Sequence, residues 1–371
     1  MKDNAALMPA AHKYKRIAES LRQRIRSGRY DAGARLPTSK MLALEYDVTA
    51  VTIDRAIALL VHEGLLIRTP GVGTSVVQPE RVRPASDEPV VISALMQAQT
   101  DSGFWERLIE GVNDILRPAG IAMLIGYHQQ DRNTAREHAE LFAKQKSSLC
   151  LFAPFDRPDK LSYEADNADM IEELRSMGME VILLDRYVET VPTHYVSEYC
   201  FSPGVHMIEQ TAAMGYTNPV CFSTDYVSVI DARERAFVEG CRAAGIRDPE
   251  SRIVRLPLST YQTRDYDAIT AALVANSDAD LIVSMNSRIF NTVMYTLNRR
   301  NGKPVPVRPR FAGFVDVELI DLENVIAYVE QPVREMGHAA GRLVQHLLTD
   351  DSVEYRHSLI PCELRILGDD E

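Results

Sequence analysis

The sequence predicts two unlike parts in one chain: an N-terminal winged helix-turn-helix (α+β) and a C-terminal α/β body of two lobes built on parallel sheets. Three observations predict it. Residues 36–78 read as two short helices followed by two strand-like runs around a Pro-Gly-Val-Gly tip. From Val90 onward short apolar runs alternate with amphipathic helical stretches, as parallel strands covered on both faces do. The charge is divided as well. Residues 1–80 hold 12 Lys+Arg against 8 Asp+Glu, a net +4, while the remainder holds 29 against 44, a net −15. The whole-chain charge of −11 would speak against a polyanionic partner, but a small basic head on an acidic body restores one.

In the head, residues 1–11 show no apolar period and are expected to be disordered. From His12 a helix places Tyr14, Ile17, Leu21 and Ile25 on one face, and Ser27-Gly28 ends it. Thr38 stands before the run Met41, Leu42, Leu44 as an N-cap, and that helix is expected to stop near Asp47. Thr49 caps a longer helix with Ile53, Ile57, Leu60 and Val61 on its apolar face, and Gly64 closes it. Leu65–Thr69 and Thr74–Gln78 form the wing. The second helix of such a pair enters the major groove, which makes Thr38, Lys40, Thr49, Ala50, Val51, Thr52, Asp54 and Arg55 the candidate DNA contacts. Asp54 either accepts from cytosine N4 or pairs with Arg55. At the wing Arg68, Gly71 and Gly73 are the candidates, because glycine lets backbone approach a phosphate closely. Residues 79–89 contain three prolines and five charges, so the expected domains are 1–79 and 90–371, joined by a linker at 80–89.

In the body the expected strands are Val90–Met96, Ile121–Gly126, Leu149–Ala153, Val181–Leu184, Pro219–Phe222, Ile253–Leu256, Leu281–Ser284, Arg310–Gly313 and Val325–Val329. Helices are expected near 104–118, 134–146, 168–178, 203–214, 230–245, 265–276, 287–300 and 333–348. About 280 residues is long for one sheet, hence two lobes, with a ligand cleft at the carboxyl ends of the strands. Asp101 and Trp105 follow the first of these strands, Phe155 and Asp156 the third, and Asp185 and Arg186 the next, and all face that cleft. Five scattered cysteines without a C-x-x-C read as core thiols in a reducing cytosol. No apolar run approaches the roughly 20 residues of a membrane span, and no secretory signal is visible. No nucleophile elbow, phosphate loop or H-E-x-x-H motif is present, so neither an enzyme, a cofactor nor a metal is expected.

Tyr14 to Val77 resembles the winged helix of GntR-family bacterial regulators, through Leu36-Pro37, Val48-Thr49, Thr52-Ile53, Glu63-Gly64-Leu65 and Gly71-x-Gly73-Thr74. The family often has arginine where this chain has Lys40, Ala50 and Asp54, so its operator sequence does not transfer. Ala50 and Val51 suit thymine methyls instead. The body resembles, more loosely, the LacI/GalR-type effector domain, itself similar to periplasmic sugar-binding proteins. The matching segments are Phe104-Trp105, Leu184-Asp185-Arg186, Arg233-x-x-x-Phe237, Asn286, Gly313-Phe314 and Gln331-Pro332. Their combination is similar to arabinose-responsive repressors.

The resemblance implies a homodimeric repressor binding double-stranded operator DNA under control of a small carbohydrate effector. It adds Arg233, Tyr261, Ser287 and Asp316 to the effector-facing residues. Ser287 and Cys200-Phe201 stand where the family has carboxylates, which argues against a simple hexose. A solute-binding protein without DNA function and an α/β enzyme are the alternatives. Arg233 is expected in an open, wet cleft with Glu234 and Arg235 as a solvated pair, so that Arg233→Ala would abolish the effector response and spare the fold.

Overall fold

The computed structural model describes residues 10–26, 30, 34–46, 48–62, 65–69, 73–76, 90–97, 103–225, 227–298, 309–316, 322, 324–349 and 354–368. The expected helix ends at Ser27-Gly28, Asp47 and Gly64, the linker at 80–89, and the site candidates Gly71 and Asp101 lie outside them. The chain divides into two compact units, Met1–Arg81 and Val82–Glu371.

In the first unit α1 (Ala10–Arg26), α2 (Ser39–Glu45) and α3 (Ala50–His62) enclose a core of Ile17, Leu21, Leu36, Leu42, Ile53, Ile57 and Leu60. Thr38 caps α2, its hydroxyl accepting from the Met41 N–H at 3.3 Å. The wing pairs β1 (Leu66–Thr69) with β2 (Gly73–Val76) in antiparallel register, Leu66 opposite Val76. Arg35 adds a bridge to Ser75. Gly73 has φ 120°, which a side chain rarely tolerates.

The second unit has two lobes. Lobe 1 carries an all-parallel sheet in the order β13-β7-β6-β5-β3-β4: β3 (Val91–Met96), β4 (Ala122–Tyr127), β5 (Leu149–Phe152), β6 (Glu180–Asp185), β7 (His194–Tyr199) and β13 (His357–Pro361). Both faces are covered. Ile92, Ala94 and Met96 pack under α4 (Phe104–Leu116) and α12 (Val333–Leu347), while Leu95, Cys150 and Phe152 pack under α5 (Arg132–Lys144) and α6 (Lys160–Ser176). This is why the strands read as unbroken apolar runs.

Lobe 2 has the order β14-β12-β11-β10-β8-β9: β8 (Pro219–Ser223), β9 (Ile253–Arg255), β10 (Leu281–Ser284), β11 (Arg310–Val315) and β12 (Val325–Glu330) are parallel, and β14 (Glu363–Ile366) is antiparallel. Its helices are α7 (Phe201–Ala213), α8 (Ser228–Ala243), the short α9 (Leu258–Gln262), α10 (Tyr266–Ala275) and α11 (Ser287–Asn298).

The chain changes lobe three times: after β7 at Cys200, after β12 at Gln331-Pro332, and between β13 and β14 at Cys362. Three elements differ from expectation because their apolar signal is weak. β7 (HYVSEY), β13 (HSLIP) and β14 (ELRI) are polar-rich, β13 and β14 being edge strands. α6 begins at Lys160 rather than near 168, because Glu164 and Asn167 occupy core-facing turns. Asn167 holds the Phe155 backbone at 2.7 Å, and Glu164 accepts the Glu189 and Thr190 N–H groups at 2.9 and 3.0 Å.

α4 and α12 approach closely enough that glycine is required. A Cβ on Gly337 would lie 2.2 Å from the Leu108 carbonyl oxygen, and one on Gly111 2.5 Å from that of Arg334. The helix that aims Phe104, Trp105 and Arg107 is thereby fixed to the segment that follows the second crossing.

Candidate functional sites

On the head, Ile53, Ala56, Ile57 and Leu60 turn α3 inward and leave Val51, Arg55 and Ala58 exposed. Thr49 is exposed, Ala50 and Thr52 partly so, and the Thr49 and Thr52 hydroxyls lie 3.0 Å apart. Lys40, Met41 and Leu44 of α2 are also exposed, so of its expected apolar run only Leu42 enters the core. Among the described residues Asp54 takes partners other than Arg55. It accepts from Ser39 Oγ at 2.8 Å and forms an ion pair with Arg68 at 3.1 Å, tying α2, α3 and the wing together. Arg35, exposed beside β2, is a cation of this surface that the helical reading passed over.

In the body a cavity of about 110 Å³ lies between the lobes. Among the expected residues, Trp105, Asp185, Arg186, Arg233 and Ser287 line it. Phe104 packs edge-on to Trp105 at 5.1 Å, so two aromatic rings share one wall. Asp185 ends β6 in the left-handed region, φ 67°, and is buried. Its Oδ1 meets no hydrogen-bond donor among the described residues. Burial pushes this carboxyl up to about 6; Arg186 opposes the shift and Glu198 adds to it. Strain and an unmatched acceptor in one residue mark a place built for something other than packing.

Arg186 is turned to Asp156, with which it forms an ion pair, and reaches the Pro154 carbonyl at 3.4 Å. Ser287 opens α11, and its Oγ accepts the Asp316 N–H at 2.8 Å. Asp156, expected at a strand end beside Phe155, is in the lining; Gln97, Thr224 and Arg288 are lining residues that no sequence signal marked, and Asn286 and Gln331 were visible only as parts of matching segments. Gln331 at the second crossing was legible as a motif but not as a wall of the site.

Four expectations are corrected. Arg233 is not in a wet cleft. It is 2 % exposed, with Nε donating to Glu198 Oε1 at 2.8 Å and a terminal nitrogen to the Met285 carbonyl at 2.5 Å. Burial works against its charge, but the Glu198 carboxylate outweighs this and raises its pKa. Removing Arg233 would strand a buried carboxylate, so alanine there would not spare the fold. Glu234 and Arg235 are not a pair: Glu234 is buried on Arg255, and Arg235 binds Asp231. Phe155 and Tyr261 are core anchors. Phe155 packs against His128 at 4.7 Å, and the Tyr261 hydroxyl donates to the Ser223 carbonyl at 3.0 Å. Asp316 is taken by Arg107 of the opposite lobe.

Among the described residues no group of three or more His, Cys, Asp or Glu is placed to hold a metal, and no helix is long and apolar enough to cross a membrane.

Comparison with known proteins divides the chain in the same way. Residues 13–76 match the model of bacterial regulatory proteins of the gntR family, and residues 208–366 that of the periplasmic binding protein-like domain. The chain is 20% identical over 359 residues to the arabinose metabolism transcriptional repressor of Geobacillus stearothermophilus, covering 94% of this chain and 96% of that protein. It is 34% identical over 67 residues to the histidine utilization repressor of Klebsiella aerogenes, covering 18% of this chain and 28% of that one. A LacI family transcriptional regulator from Enterococcus faecium, solved with bound ribose, shares the body fold at a TM-score of 0.60 and 17% identity, over 74% of this chain and 96% of the other.

Proposed function

We propose that this chain, a GntR-type winged helix joined to a periplasmic-binding-protein-like body, is a transcription repressor whose hold on operator DNA is set by a sugar or sugar derivative. Operator binding places it in the cytoplasm. Two copies pair through their bodies and present two winged helices to a two-fold operator, since half-site spacing follows protein symmetry. The effector binds between the lobes and stabilises their closed arrangement. Its differential affinity for the two arrangements sets the fraction of molecules competent for DNA.

The observation that carries the sensing half is Asp185: a buried, left-handed carboxylate with an unsatisfied oxygen, lining the same cavity as two aromatic rings. A sugar fits this chemistry, with a hydroxyl donating to Asp185 and a C–H face against Trp105. The test is fluorescence anisotropy on DNA from upstream of the chain's own gene, titrated with salt and then with pentoses and hexoses. We expect salt-sensitive binding that one sugar releases, and Asp185→Ala should keep the DNA affinity but lose the release. DNA binding that no sugar alters, or an alanine variant released at the same concentration, would overturn the reading.

A further inference from the structure

The cleft contains cations, yet its buried ones are already neutralised by this chain's own carboxylates. Glu198 is the clearest case. It projects from β7 in lobe 1 with its side chain fully buried, and Arg233 reaches it from α8 in lobe 2. Glu198 Oε1 accepts from Arg233 Nε at 2.8 Å and from a terminal nitrogen at 2.5 Å, and Oε2 accepts from Gln331 Nε2 at 3.1 Å. The Arg233 guanidinium also lies 5.4 Å over the Phe314 ring. Arg186 is matched in the same way by Asp156. Arg288, the third cation of the lining, is partly exposed and has interactions of its own. Among the described residues three atoms of the lining lack a hydrogen bond: Asp185 Oδ1, the Thr224 hydroxyl and Arg186 Nε, whose charge is already answered by an ion pair with Asp185 Oδ2 at 3.4 Å.

We infer that Glu198 sets the charge selectivity of the cleft, making it a site for an uncharged polyhydroxyl ligand and excluding phosphorylated or carboxylated sugars. This rests on the cleft being the effector site. A phosphate or carboxylate entering here would meet Asp185 and Asp156, and would have to compete with Glu198 for Arg233. Desolvating an anion without a free buried cation is costly, and like charges at close range add to that cost. A hydroxyl donates to Asp185 without that penalty. Glu198 does not touch the ligand; it acts through Arg233.

The experiment measures calorimetric affinities of the full chain for D-ribose, L-arabinose and D-xylose, each beside its 5-phosphate and its aldonate. The proteins are the wild type, Glu198→Gln and Glu198→Asp. We expect a neutral sugar to bind the wild type roughly 100-fold more tightly than its charged forms, the scale of an uncompensated buried charge. Glu198→Gln, nearly isosteric but neutral, should free the Arg233 charge and narrow that gap by about tenfold or more. Glu198→Asp, which keeps the charge, should retain the gap. Charged forms binding the wild type as well as the parent sugar would overturn the inference while leaving the sugar site intact. So would a gap that Glu198→Gln leaves unchanged. If nothing in the panel binds the wild type, the sugar-site reading fails and this inference falls with it. Should Glu198→Gln fail to fold, as circular dichroism would show, the wild-type panel and Glu198→Asp still decide.

Discussion

Arg107 on α4 and Asp316 after β11 form an ion pair across the cleft, one residue from each lobe. Asp316 is 3 % exposed. A second tie joins the lobes where the Tyr187 N–H donates to Ser228 Oγ at 3.3 Å. Closure therefore has ties of its own. In the closure proposed above, opening would separate and hydrate both charges, and closing would desolvate them and repay that through their attraction.

Removing Arg107 tests this. In Arg107→Ala the closed form would hold Asp316 buried without its partner, at a cost of about 3–5 kcal/mol, so the lobes should open instead. The effector affinity should fall more than about tenfold, with a larger radius of gyration in solution scattering. The DNA affinity of the isolated head, residues 1–81, is the control. The double exchange Arg107→Asp with Asp316→Arg should recover part of the loss. Unchanged effector affinity in Arg107→Ala would show that the pair does not govern closure.

Asp185 gives a pH dependence with a defined sign. Its carboxyl is raised to about 6 by burial, so the folded state favours the protonated form. Its own contribution to stability is thus best at low pH and is lost as pH rises from the usual carboxylate value to about 6, a change of about 3 kcal/mol. A hydroxyl that donates to the carboxylate prefers the ionised form. Effector affinity should then be level above about pH 6 and fall roughly tenfold per unit below it, with proton release on binding. Calorimetry in buffers of different ionisation enthalpy measures this. A profile that stays the same in Asp185→Asn would assign the titration elsewhere.

On the head, Asp54 places a negative charge between Ser39 and Arg68 on the surface that would face DNA. Asp54→Asn should raise non-specific DNA affinity by releasing Arg68 toward phosphates. Arg55→Ala should lower affinity; if Arg55 contacts a phosphate, the slope against log salt should fall by about one. Salt titrations on operator and unrelated DNA separate the two. An Asp54→Asn variant that binds more weakly would make Asp54 a base-reading acceptor rather than a brace.

The α4–α12 contact predicts a packing defect. Gly337→Ala puts a methyl group against the Leu108 carbonyl, where neither helix backbone can yield locally. We expect a destabilisation of about 1–3 kcal/mol in denaturant melts and a weaker effector response, because α4 carries Trp105 and Arg107. Gly178→Ala is the control for positive φ without crowding, since nothing lies within 4 Å of its Cβ position.

The sequence by itself determined the two kinds of fold. Thr38 before α2, the apolar stripe of α3, and unbroken runs such as LCLF in β5 are local signals, because hydrogen bonding and burial at one element leave their mark in that element's own residues. It also brought Trp105, Asp185 and Arg186 to one cleft, since the carboxyl ends of parallel strands are fixed by topology, while Arg233 and Ser287 came to it through the family resemblance. Which of them stand open to a ligand was not legible. Arg233 is answered by Glu198, 35 positions earlier, and Asp316 by Arg107 from the other lobe. Phe155, next to the lining residue Asp156, and Tyr261, three positions after the lining residue Leu258, are buried in the cores. Such pairings depend on how three crossings bring two sheets face to face. A charge's partner is chosen by distance in space and by the cost of leaving it buried alone, and neither quantity is written in the residues beside it.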